Sequence, residues 1–80
     1  MADGTASPRQ RQSDAFFGRR LRELRRECGL GQEAVARGVG LTPEEVGEDE
    51  RGLRPIEPIR LVQYAQFLAV SLSSFVRPFS

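Results

Sequence analysis

Residues 31–52 have the sequence GQEAVARGVGLTPEEVGEDERG, which predicts two short helices joined by a tight turn. The first helix of this pair is expected over residues 31–37. Its inward-facing side chains are predicted to be Val35 and Ala36. Gly38 and Gly40 interrupt the helix, and two glycines so close together are typical of a tight turn between packed helices.

The second helix of the pair has the clearest start signal in the chain. Thr42 is expected to be its N-cap, Pro43 occupies the first helical position, and Glu45 completes a capping box three residues after the cap. We therefore expect a helix that begins at Pro43, points Val46 inward and ends near Arg51, just before a glycine.

Another helix is predicted upstream, from a cap at Ser13 to about Cys28, with Gly29 as its left-handed stop. Its apolar residues recur at helical spacing on one face and are Phe17, Leu21, Leu24 and Cys28. Cys28 is expected to be a small buried residue and not a reactive thiol. Residues 1–12 carry too little apolar surface to fold, so we expect a flexible N-terminal arm there and a single domain over 13–80.

Two more helices are predicted downstream of an extended linker that contains Pro55. Pro58 opens the fourth helix. Its apolar stripe consists of Leu61, Val62, Ala65, Leu68 and Ala69. Ser71 is expected to cap a last short helix that carries Leu72, Phe75 and Val76. Nothing alternates long enough to predict a strand, so the fold class is all-α, a compact bundle of five short helices.

The composition excludes most catalytic chemistry. All 12 basic residues are arginine, and the chain has no histidine and a single cysteine. Without an imidazole or a second thiolate there is no His-based nucleophile pair and no zinc cluster, so we expect no enzyme activity, no metal and no cofactor. No apolar run approaches the roughly 18 residues of a membrane span, and the start lacks a secretory signal, so we expect a cytoplasmic protein.

Several pieces of sequence occur together and indicate a family. They are GRRLRELRRECGLGQEAVARGVGLTPEEV (residues 18–46), ERG (50–52), Arg60 with Leu61, YAQFLAVSL (64–72) and Phe75. In this combination the chain resembles the XRE, or phage Cro and repressor, type of helix-turn-helix regulator. The resemblance implies a lambda repressor-like bundle, a dimeric transcriptional regulator that reads the major groove of double-stranded DNA with the helix 43–51.

The resemblance also implies roles for individual residues. Gln32 begins the second helix, where the family's glutamine hydrogen-bonds a DNA phosphate. Arg25 and Glu50 match a family pair that forms a partly buried ion pair between the first helix and the end of the third. Arg51 and Arg54 occupy the region that reaches phosphates in relatives.

The recognition helix departs from the family pattern because its outward positions are acidic. Base reading is assigned to Thr42, Pro43, Glu44 and Glu48. Residues 41–52 hold five acids and one arginine, a local charge of −4, whereas residues 9–27 have a charge of +4. A glutamate can accept a hydrogen bond from cytosine, but Asp49 and its neighbours would repel phosphates. Phosphate contacts, including one from Arg37, would have to offset that repulsion.

Two functions therefore stay open. The first is a sequence-specific DNA-binding regulator, and the second is a protein-binding module whose acidic third helix docks a basic surface of a transcription or DNA-binding partner. An acidic face that is merely solvated is a third interpretation. At the C-terminal end, Phe75 and Phe79 are expected either to form a homodimer contact or to close the core.

Overall fold

The computed structural model describes residues 8–76, with side chains from 14 to 75, and contains five helices in that range. They are α1 (Pro8–Glu27), α2 (Gln32–Val39), α3 (Pro43–Arg51), α4 (Pro58–Leu68) and α5 (Ser73–Val76). This order confirms the predicted all-α bundle, and residues 8–76 contain no strand. α1 packs on α3, α4 and α5, while α2 packs on α3 and α4. The largest fully buried apolar side chains are Tyr64, Phe75, Leu21, Val35 and Val46.

The first helix is longer than its sequence signals predict, because α1 starts at Pro8 and not after Ser13. A proline in the first helical turn loses no hydrogen bond, and the arginines and glutamines that follow it are good helix formers. Residues 8–12, assigned to the arm for their polarity, are therefore helical. The other end is as predicted, since Gly29 has a φ of 71° and ends the helix in the left-handed conformation.

The turn between α2 and α3 begins two residues later than predicted. Gly38 lies within α2, where the ring of Phe67 packs directly against it. Gly40 then caps the C-terminal end of α2 with its N–H bonded to the carbonyl oxygen of Ala36. α3 has the predicted bounds, from Pro43 to Arg51.

Two apolar residues that were expected to face inward, Cys28 and Ala69, are exposed at helix ends, and so is Leu72 of the predicted last helix. Cys28 follows the last residue of α1, Ala69 is the C-cap of α4, and Leu72, which is 47% exposed, precedes α5. The prediction of a buried Cys28 is therefore wrong. Apolar spacing places a side chain on the core face only within a continuous helix, and each of these three residues lies just outside its helix.

Of the two C-terminal aromatics expected at a dimer contact or in the core, Phe75 belongs to the core. It is fully buried, which removes it from the surface on which a dimer contact was expected. Its helix, α5, begins at Ser73, so it starts one residue later than a cap at Ser71 predicts. Phe79 lies outside the described residues.

Gly18 allows α1 and α3 to approach each other closely. A Cβ atom at this position would overlap the carbonyl oxygen of Asp49 and would lie 2.6 Å from that of Glu50. Both atoms belong to the backbone of α3 and cannot rotate away. The contact therefore sets how closely α3 packs against α1, and only glycine fits there.

Replacing Gly18 with alanine should lower the free energy of unfolding by about 2 kcal/mol, because α3 must move away from α1 to admit the methyl group. Gly47→Ala is the matched control within α3, since its added Cβ would lie 3.5 Å from the Gln32 amide nitrogen, an ordinary contact. That control should gain about 0.5–1 kcal/mol from helix propensity. Urea unfolding followed by circular dichroism measures both, and equal effects of the two substitutions would contradict the close approach.

Candidate nucleic-acid interface

The N-terminus of α3 is fixed by a reciprocal capping box. The Thr42 hydroxyl accepts a hydrogen bond from the Glu45 N–H at 3.1 Å, and the Glu45 carboxylate accepts one from the Thr42 N–H at 2.9 Å. The bond from the Thr42 backbone, with the positive charge of Arg54 nearby, lowers the pKa of Glu45. The capping box predicted at the start of α3 is therefore present. Its two hydrogen bonds engage the Thr42 hydroxyl and the Glu45 carboxylate.

A buried ion pair joins the C-terminal end of α3 to α1. Arg25 donates from Nε to Glu50 Oε2 at 2.5 Å and from Nη2 to Oε1 at 3.0 Å. Its third guanidinium nitrogen, Nη1, donates to the Leu30 carbonyl oxygen at 2.8 Å. The hydrogen bonds and charge of Glu50 raise the pKa of Arg25. These are the two residues that the family resemblance pairs, and here they hold α3 at a fixed angle to α1.

Gln32 completes this arrangement from the first residue of α2. Its Nε2 donates to Glu50 Oε1 at 3.1 Å, so the amide side chain lies between the start of α2 and the end of α3. The amide oxygen makes no hydrogen bond to the described residues and stays available for another donor.

Asp49 is the main correction to the sequence-based description of the site. It was expected to face phosphates, but it is fully buried between α3 and α4. The Tyr64 hydroxyl donates to its Oδ2 at 2.5 Å, Arg54 donates from Nε to Oδ1 at 2.9 Å, and Arg60 Nη1 lies 3.7 Å from Oδ2. Burial and the bond to Asp49 raise the pKa of Tyr64. We call these four residues the Asp49 cluster.

Arg54 also differs from expectation. Besides Asp49, its guanidinium lies 3.5 Å from Glu45 and 3.9 Å from Glu48. The hydrogen bond to Asp49, together with the charges of Asp49, Glu45 and Glu48, raises the pKa of Arg54. This arginine was expected to reach DNA phosphates, but its charge is directed at α3. Sequence spacing did not reveal this, because the loop after α3 turns back over the helix that it leaves.

These ion pairs change the charge that α3 presents. Four of the five acids of α3 lie within ion-pair distance of an arginine, and the fifth, Glu44, has no such partner among the described residues. The acidic stretch seen in the sequence is therefore largely compensated inside the domain. It is a weaker barrier to a phosphate backbone, and a weaker docking surface for a basic protein, than the local charge suggests.

The outer face of α3 borders an open cleft of about 320 Å³, here called the α3 cleft. Its lining residues are Gln32, Pro43, Glu44, Gly47, Glu48 and Arg51. The structure therefore brings three of the four predicted base-reading residues together with Gln32 and Arg51, and Thr42 is exposed beside them. Arg37 is exposed in the last turn of α2 and does not line this cleft.

Two kinds of feature are absent from the described residues. No helix among them is long and apolar enough to cross a membrane. Within the same part of the chain, no group of three histidine, cysteine, aspartate or glutamate side chains is placed to hold a metal ion.

Comparison with known proteins gives consistent results. A family model described as a helix-turn-helix domain matches residues 17–74. An uncharacterized transcriptional regulator from the ATPase CF(0) region of Rhodospirillum rubrum is 37% identical over 62 residues, which are 78% of this chain and 57% of that protein. The chain thus spans little more than half of this curated relative.

Two solved structures are similar to this one. The restriction-modification controller protein C.AhdI from Aeromonas hydrophila is 38% identical, with a TM-score of 0.73 over 76% of this chain and 92% of its own. The clp gene regulator ClgR from C. glutamicum gives a TM-score of 0.77 over 85% of this chain and 94% of its own. It is 19% identical, so it supports the fold alone.

Proposed function

The chain belongs to the helix-turn-helix family, and from this premise we propose that it is a DNA-binding transcriptional regulator that places α3 in the major groove. Family and fold are those of a regulator and not of an enzyme. The proposal includes a homodimer on two half-sites about one helical turn apart and a cytoplasmic location.

The observation that carries this proposal is the inward pairing of the acids of α3. A recognition helix with five unpaired carboxylates would be repelled by the phosphates on both sides of the groove. With Glu50 bound to Arg25 and with Arg54 placed over the other acids, α3 presents mainly Glu44 and the part-exposed Glu48. A short helix with one or two exposed acids can enter the groove.

The residues of the α3 cleft divide into two roles. Thr42, Pro43, Glu44 and Glu48 would lie at base edges, where a glutamate carboxylate accepts a hydrogen bond from the amino group of cytosine. Gln32 and Arg51 would contact phosphates at the groove edge, helped by the positive end of the α2 dipole. Arg54 and Arg37 are not assigned to phosphates, since the first is bound to Asp49 and the second lies outside the cleft.

Docking of the acidic helix on a basic protein is not favoured. Such a surface needs several carboxylates free to meet lysines or arginines of the partner. Here Asp49 and Glu50 are buried, and Glu45 has an arginine within 4 Å. The ion pairs that favour the approach of α3 to DNA therefore also argue against this second function.

Selection from a random duplex library at low salt should enrich a short, nearly palindromic sequence. Glu44→Ala should then reduce discrimination by about 1–3 kcal/mol at one base pair per half-site, because one hydrogen-bond acceptor is lost. Affinity for unrelated duplex should not fall, since a negative charge near phosphates is removed. Fluorescence anisotropy on single-base variants of the selected site measures both quantities.

The control for this experiment is Glu57→Ala, which removes an exposed acid that makes no capping hydrogen bond at the start of α4. It should leave base preference unchanged. A library that yields no enriched duplex would overturn the proposal, and loss of discrimination with both variants would reject the role of Glu44.

A further inference from the structure

A second cleft, of about 270 Å³, lies beside the α3 cleft and is rich in arginine. We call it the arginine cleft; its lining residues are Arg22, Arg25, Arg26, Gln32, Gly47, Glu50 and Arg51. Two of its members, Arg25 and Glu50, neutralise each other in the buried ion pair. The net charge of the cleft therefore comes from Arg22, Arg26 and Arg51.

These three arginines are exposed, and no acid of the described residues lies within ion-pair distance of any of them. Of the other arginines between residues 14 and 75, Arg19 and Arg37 also have no acidic partner, but neither lines this cleft, and the rest are compensated. Arg20 contacts Glu23 and the Ser74 carbonyl, while Arg54 and Arg60 contact Asp49. Three uncompensated guanidinium groups around one concave space form a site for an anion.

The arginine cleft is continuous with the surface that would face DNA. It shares Gln32, Gly47 and Arg51 with the α3 cleft, so the two open side by side along α3. Gly47 lines both clefts and has no side chain that would separate them. An anion that occupied the arginine cleft would thus lie next to whatever α3 contacts.

We infer that the arginine cleft binds the DNA backbone, with Arg22 and Arg26 of α1 holding a phosphate beside the groove that α3 enters. This rests on the proposed function and extends the interface from the helix-turn-helix onto α1. Guanidinium groups match phosphate oxygens in a bidentate geometry, so Gln32, Arg51 and these two arginines would grip adjacent phosphates. The strong positive charge of the first helix then has a function in binding.

The test compares Arg22→Gln and Arg26→Gln with Arg37→Gln in the full chain, on the duplex enriched from the library. Each cleft variant should weaken binding about tenfold, and the plot of log affinity against log salt should become shallower by about one unit for each phosphate that is no longer bound. Base preference should not change, because phosphate contacts carry no sequence information directly. Arg37→Gln removes the same charge from an exposed site outside the cleft.

Each outcome has a defined meaning. If both cleft variants match Arg37→Gln in affinity and salt dependence, the inference fails while the proposed function stands. If the unmodified chain binds no duplex, the proposed function and this inference fail together. The three substituted residues, Arg22, Arg26 and Arg37, are exposed and make no side-chain hydrogen bond to described residues. The thermal midpoint of each variant should therefore equal that of the unmodified chain, and it serves as the check on folding.

Discussion

Replacing Glu50 with alanine should lower the free energy of unfolding by about 3–5 kcal/mol, the largest effect expected of any single change in this domain. The substitution leaves the Arg25 guanidinium buried at the α1–α3 contact without its two carboxylate hydrogen bonds. It also removes the acceptor of the Gln32 amide. Urea unfolding monitored by circular dichroism measures the loss, and DNA affinity should fall with it because α3 is no longer held to α1.

The control is the double variant Arg25→Met with Glu50→Leu. Replacing both charges with apolar side chains of similar volume removes the unpaired group, so this variant should be much more stable than Glu50→Ala. The single variants Arg25→Met and Glu50→Leu close the double-mutant cycle for this pair. A double variant as unstable as Glu50→Ala would mean that the pair is needed for its hydrogen bonds and shape, and not that an unpaired charge causes the loss.

The sequence predicted those features of the fold that depend on residues only a few positions apart in the chain. The capping box at Thr42 and Glu45 was predictable because both of its hydrogen bonds join residues three positions apart. The left-handed end of α1 at Gly29 was predictable from the residue type alone, because glycine adopts a positive φ without strain. The pairing of Arg25 with Glu50 spans 25 positions, and it came from the family resemblance and not from spacing.

The Asp49 cluster could not be predicted in the same way. Asp49 and Tyr64 are 15 positions apart on different helices, and their contact depends on where the linker places α4 relative to α3. A buried tyrosine hydroxyl needs a hydrogen-bond partner, but the sequence does not indicate which residue supplies it. As a result, Asp49 and Arg54 were assigned to the DNA face, although each satisfies the other inside the domain.

That internal arrangement matters for function because it separates two kinds of charge on one short helix. Asp49 and Glu50 point inward and orient α3, while Glu44 and Glu48 lie on the cleft that faces outward. The separation follows from helical geometry, since residues 44 and 48 lie one turn apart on one face and residues 49 and 50 lie on another. The total charge of such a helix says little about its ability to approach DNA.

Replacing Asp49 with alanine should destabilise the domain by about 3 kcal/mol. The change leaves the fully buried hydroxyl of Tyr64 without an acceptor and removes the carboxylate that joins Arg54 and Arg60. The loss should be smaller than for Glu50→Ala, because the Arg54 and Arg60 side chains are 29% and 21% exposed and can be hydrated. Released from Asp49, Arg54 should also become available to phosphates, so a DNA complex should gain salt dependence as the domain loses stability.

Tyr64→Phe is the matched control, since it removes one hydrogen bond of the Asp49 cluster and keeps both arginines paired. It should cost about 1 kcal/mol and leave the salt dependence of DNA binding unchanged. Urea unfolding and fluorescence anisotropy over a range of salt concentrations distinguish the two variants. If Asp49→Ala were no more destabilising than Tyr64→Phe, the two arginines would add nothing to the anchoring of α3. The orientation of the recognition helix would then depend on Glu50 and the apolar core alone.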